Sequence, residues 1–164
     1  MIRTFAIAAL LATAACSPPA QTDETPVPIE GVPRAAEAPA DVLAMITAAD
    51  ASFIASEAIE DNTIGATIYR VKGTGAQGEI TYNVMRQNEG WSVVETRRVL
   101  NWGDAPQAVR DVVATSPQAI VPDRVEEVVQ PSSDAVMYDL FAGETLALTV
   151  NFAGGEAAIV PAPQ

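Results

Sequence analysis

Apolar residues recur along the chain with two different periods, and the switch between them lays out the elements. Val42, Ile46, Ala49 and Phe53 fall on one side of a 3.6-residue helix, as do Val109, Val112 and Val113. Asp104 stands three residues before Gln107, a spacing that predicts a capping box at the start of the second helix. Pro117 is expected to stop it. Its β-branched valines lower helix propensity, so tertiary packing must hold it. Elsewhere the period is two: Thr67/Tyr69/Val71, Ile80/Tyr82/Val84, Val136/Tyr138/Leu140 and Leu146/Leu148/Val150/Phe152 predict half-buried strands. Turn residues separate them at Gly73 to Gly78, Asn88-Glu89-Gly90, Ala142-Gly143-Glu144 and Gly154-Gly155.

The pattern occurs twice. Ala38-Pro39-Ala40-Asp41-Val42 is echoed by Ala105-Pro106-Gln107-Ala108-Val109, and Ile54 to Asp61 by Ile120 to Glu127. Ile80, Tyr82 and Val84 fall on Leu146, Leu148 and Val150, Val93 falls on Ile159, and Tyr69 matches Tyr138 once a short insertion is allowed. The expected fold class is therefore α+β: two tandem helix-plus-three-strand repeats, residues 38–103 and 104–164, forming an antiparallel sheet with the helices packed on one face. The other face presents Thr81, Asn83, Met85, Met137, Asp139, Phe141, Thr149 and Asn151. Met and aromatic residues make adaptable contacts, so this mixed face is the candidate protein-binding surface. A hydrated sheet back with scattered apolar residues is the alternative.

Ahead of the repeats, Met1 to Ser17 carries a lone Arg3, the apolar run Phe5 to Ala15, and the chain's one cysteine, Cys16. This arrangement resembles a bacterial lipoprotein signal peptide, residues 1–15, with cleavage before Cys16 and acylation of that residue. Thr13-Ala14-Ala15-Cys16 keeps the small pair of a lipobox but has Thr where Leu is usual, which leaves ordinary cleavage after Ala14 or Ala15 open. The run is shorter than the roughly 20 residues that span a bilayer. Residues 16–37, rich in Pro and Ala, read as a flexible tether. Ser17 resembles the outer-membrane sorting class of such anchors. The expected localisation is the cell envelope, lipid-anchored to the outer membrane and facing the periplasm.

Charge narrows the partners. The chain has 9 basic and 21 acidic residues, a formal −12 that becomes −13 when Arg3 leaves with the leader. Such acidity argues against nucleic acid and against electrostatic docking on anionic lipid, so membrane attachment would run through the acyl anchor. The chain has no histidine, which removes Ser-His-Asp, Cys-His and His-ligated zinc arrangements. No cofactor or metal is expected.

Other constellations read blandly. Gly73 to Gly78 fits G-x-G-x-x-G, but an alternating strand follows where a dinucleotide site needs a helix. Lys72, the only lysine, sits at that turn with no sign of the desolvation a nucleophile needs. Asp123, Glu126, Glu127 and Asp134 lack calcium-loop spacing and read as a solvated strand start. Arg70, Lys72, Arg86, Arg97 and Arg98 form either a local positive patch or, preferably, cross-strand ion pairs with Glu79 and Glu95. Trp91 is placed at the sheet end and Trp102 at the junction between repeats.

Together, the Pro-initiated helices, the Arg124-Val125-Glu126-Glu127-Val128 stretch, Tyr138-Asp139-Leu140-Phe141 and Leu148-Thr149-Val150-Asn151-Phe152-Ala153-Gly154-Gly155 resemble a PepSY-like repeat. Two in tandem are similar in architecture to the secreted β-lactamase-inhibitor protein. The resemblance implies an exported, non-catalytic module that contacts or inhibits another cell-envelope protein through its open sheet face. A periplasmic small-ligand or metal-binding lipoprotein is the alternative, and a histidine-free hydrolase a third.

Overall fold

The computed structural model describes residues 34–35, 37–62, 64–87 and 90–161. The signal-like leader, Cys16 and most of the tether lie outside the described residues. Within them the chain forms β1 (Arg34–Ala35), α1 (Ala40–Ala49), β2 (Ile54–Asp61), β3 (Ile68–Gly75), β4 (Gly78–Gln87) and β5 (Gly90–Leu100). A 3-10 turn (Trp102–Asp104) leads to α2 (Gln107–Ala114), β6 (Arg124–Val129), β7 (Val136–Ala142), β8 (Thr145–Ala153) and β9 (Glu156–Val160). All nine strands form one sheet in chain order, and every neighbouring pair is antiparallel.

This overturns the expected helix-plus-three-strand repeats, because four strands follow each helix. The acidic stretch read as a strand start belongs to a complete strand, β6, and its counterpart in the first unit is another, β2. Their carboxylates hide the period-two pattern because partners neutralise them on both faces of the sheet. Glu127 shows how: it sits on the helix side, where Tyr138 Oη donates to it at 3.1 Å and Arg98 Nη2 at 2.6 Å. Tyr69 Oη donates in the same way to Glu60 at 3.0 Å. Both tyrosines stand directly opposite their glutamates in the register. The cross-strand row Glu60–Tyr69–Val84–Val93 is thus matched by Glu127–Tyr138–Val150–Ile159.

Each helix packs against the fourth strand after it, α1 on β5 and α2 on β9. Two separate cores result. Val42 and Ile46 of α1 meet Phe53, Val71, Tyr82 and Val84 in the first. Val109 and Val113 of α2 meet Val125, Tyr138, Leu140, Leu148 and Val150 in the second. Fully burying each such aliphatic side chain stabilises the fold by about 1.5–3 kcal/mol. Ala49 is exposed and drops out of the expected stripe, while Phe53 lies beyond the helix end and enters the core from the loop. Leu100 and Val125 on β5 and β6 pair directly and join the two units in one sheet.

The expected Asp104–Gln107 capping box does not form. Pro106 occupies the N-cap with no side-chain cap. Asp104 instead accepts from Asn101 Nδ2 at 2.9 Å, and Gln107 Nε2 donates to Asp111 at 2.6 Å. Arg110 ties the 3-10 turn to the helix by donating to the Gly103 carbonyl at 2.6 Å and to that of Ala105. The helix ends at Ala114, before Pro117, where Thr115 Oγ1 bonds back to the Asp111 carbonyl at 3.0 Å.

Candidate functional site

The face opposite the helices holds all eight residues expected there, but in two groups. Thr81, Asn83 and Met85 lie on β4, opposite Arg97, Glu95 and Ser92 of β5. Met137, Asp139 and Phe141 lie on β7, opposite Val128, Glu126 and Arg124 of β6. Thr149 and Asn151 follow on β8, opposite Asp139 and Met137. Strands β5 and β6 separate the groups, and the residues they contribute were not singled out as part of the face. Their apolar alternation is broken by Arg97 and Glu126, and only the register shows that the two meet.

Arg97 is the centre of this middle ground. Its Nε donates to Glu95 at 2.7 Å, and its Nη1 donates to Glu126 at 3.3 Å and Asp139 at 3.1 Å. Two of the three acids are themselves tied down. Asn83 Nδ2 donates to Glu95 at 2.8 Å and Gln130 Nε2 at 3.3 Å, while Thr149 Oγ1 donates to Asp139 at 2.7 Å. Asp139 is the one buried charged residue among those described. Partial burial pulls the Glu95 carboxyl up, but hydrogen bonding and charge from Arg97, with help from Gln130 and Asn83, leave it below its ordinary value. Burial likewise pulls the Arg97 guanidinium down, and its carboxylates more than offset this, holding it above its usual value. Val128, on the same face between Arg97 and Met137, is fully buried.

Beside this network lies a cleft of about 430 Å³ lined by Arg70, Lys72, Glu79, Asn83, Arg97, Arg124 and Glu126 among others. Lys72 pairs with Glu79 at 3.0 Å across the strands. Arg124 lies over the Phe141 ring, 4.1 Å from its centroid. The basic residues of β3 to β5 thus resolve mostly as ion pairs, with the expected Glu79 and Glu95 and with further acids besides. Arg97 spans Glu95 on its own strand and two acids on β6 and β7, and Arg98 turns to the helix side to meet Glu127.

The remaining candidates fall into structural roles. Gly73 to Gly78 forms the β3–β4 hairpin, and two of its glycines permit close packing: a Cβ at Gly73 would fall on the Ile54 carbonyl and the Phe53 ring, one at Gly75 on the Asp50 carboxylate. The acidic set disperses. Glu126 faces the cleft, Glu127 the helix side, and Asp123 accepts from the Gly143 amide at 2.8 Å. Among the described residues no group of acids or cysteines is placed to hold a metal ion. Trp91 pins α1 to the sheet by donating Nε1 to Asp41 at 2.9 Å while packing edge-on against Tyr69. Trp102 borders the second core.

The open face offers a charged, hydrogen-bonded surface with apolar points at Met85, Met137 and Phe141. Comparison of the chain with known protein families, curated proteins and solved structures finds no match in any of the three.

Proposed function

We propose that the chain is an exported, lipid-anchored binding module that contacts another cell-envelope protein through the open face of its sheet. The observation that carries this reading is the network around Arg97. It holds polar side chains of five strands in fixed positions on a face that neither described helix covers. Preorganised side chains lose little freedom on association, which favours specific docking. The signal-like leader and Cys16 support export and anchoring, and the resemblance to PepSY-like repeats supports a non-catalytic role.

Two experiments test the reading. Cys16→Ala abolishes metabolic labelling by palmitate and moves the protein out of the membrane fraction; unchanged fractionation would refute the anchor. Crosslinking in intact envelopes recovers one specific protein with the wild-type chain and loses it when Thr149→Arg obstructs the face. Recovery of the same protein at equal yield from both chains contradicts docking there.

A further inference from the structure

The open-face cleft gathers positive charge on an otherwise acidic chain. Arg70, Lys72, Arg97 and Arg124 line it against Glu79, Glu95 and Glu126, an excess of one positive charge where the whole chain carries −12. Three of these four cations are committed: Lys72 to Glu79, Arg97 to three carboxylates and, at 3.9 Å, Arg70 to Asp61. Arg124 is engaged only through Nε. Its closest acid contact is 3.4 Å from Nε to Glu126 Oε1, and Nε is buried without a hydrogen bond. The other oxygen of Glu126 is engaged by Arg97. Neither terminal nitrogen of Arg124 has a hydrogen-bond acceptor among the described residues. The Phe141 ring meanwhile lies under the guanidinium carbon, 4.1 Å from its centroid, and holds the fork in place.

We propose that this cleft receives one carboxylate, an Asp or Glu side chain of the protein that docks on the open face, with Arg124 as its anchor and Lys72 and Arg70 at the rim. The inference rests on the open-face reading above and specifies the chemistry of the partner. A planar guanidinium with unused donors matches a carboxylate edge to edge. The lining decides between anions. A single negative charge neutralises the excess, whereas a doubly charged phosphate overshoots it and leaves net negative charge beside Glu79, Glu95 and Glu126.

The first test uses small probes on the full chain. Sodium acetate, titrated at constant ionic strength against chloride, shifts the Arg124 Nε–H resonance saturably, and Arg124→Gln removes the response. Inorganic phosphate at equal concentration gives a weaker shift. A linear acetate response equal to that of chloride overturns the proposal, and so does tighter binding of phosphate. The second test places a photo-crosslinker at Thr149 in envelopes. No adduct from the wild-type chain would defeat the open-face reading itself. An adduct undiminished in Arg124→Glu would leave that reading standing and defeat the carboxylate anchor. The proposal expects Arg124→Glu to lower adduct yield at least tenfold and an Asp→Lys or Glu→Lys change at the mapped partner residue to restore it. Arg124→Gln, which adds no charge, serves if Arg124→Glu does not fold, and is expected to lower the yield in the same direction.

Discussion

Arg97→Met removes the cation at the centre of the open face while keeping its apolar bulk, and leaves Glu95, Glu126 and Asp139 facing one another. Their side chains are 17%, 17% and 12% exposed, and Arg97 bonds them at 2.7, 3.3 and 3.1 Å. Fully desolvated, three charge-assisted bonds would contribute about 1.5–3 kcal/mol each. The guanidinium, however, is 35% exposed, so water takes over part of its role and the pairs move toward the range of surface ion pairs. About 1 kcal/mol per bond is then the working figure, a loss of about 3 kcal/mol at pH 7. Acid should narrow the difference. A carboxyl whose folded pKa is depressed stabilises the fold above its unfolded value, about 4.5 for Glu95, and loses that contribution as pH falls through the folded value. Urea unfolding followed by tryptophan fluorescence at pH 7 and pH 3 measures both effects. The gap between wild type and variant is expected to narrow by about 1 kcal/mol, the share of the Glu95 bond, between pH 7 and pH 3. A gap under about 0.5 kcal/mol at pH 7, or one that stays constant on acidification, would refute the network as a source of stability.

Other perturbations probe the two cores and the seam between them. Leu140→Ala, at a fully buried position of the second core, costs about 2–5 kcal/mol in urea melts, whereas Leu146→Ala, 50% exposed on the next strand, changes stability by less than about 1 kcal/mol. Gly73→Ala forces a methyl group onto the Ile54 carbonyl and the Phe53 ring and lowers stability by about 1–3 kcal/mol; an unchanged midpoint would contradict the close approach. Burial, then the neighbouring Glu127 charge and hydrogen bond, push the Tyr138 phenol up to about 12. Its contribution is therefore full below pH 10 and lost as pH rises from about 10 to 12. Absorbance titration of Tyr138→Phe against wild type reads that late-ionising group directly, and a normal midpoint for it would count against the Glu127 bond.

The sequence made the core strands legible and hid the charged ones. Tyr69/Val71, Ile80/Tyr82/Val84 and Tyr138/Leu140 alternate because one face of each strand is apolar and buried. β2 and β6 escape that rule. Glu60 and Glu127 sit on the helix side yet are satisfied by tyrosine hydroxyls, so a carboxylate stands where alternation demands an apolar residue. Counting strands by apolar period therefore missed one in each unit. The same effect concealed the middle of the open face. Arg97 and Glu126 are 29 residues apart, and nothing local links them; only the β5–β6 pairing brings them together. The eight residues assigned to the face do share it, because parity along a strand survives an error in the number of strands. The capping box failed for a local reason. Asn101 captures the Asp104 carboxylate within the 3-10 turn before the helix begins.

The central claim is that the face of the sheet that neither described helix covers, not the helix side, meets a partner. Photo-crosslinkers placed one at a time at Thr81 and Asn151 on the open face, and at Thr47 on exposed α1, test it in intact envelopes. The account predicts the same single adduct from Thr81 and Asn151 and none from Thr47. An adduct from Thr47 with none from the open face would contradict it.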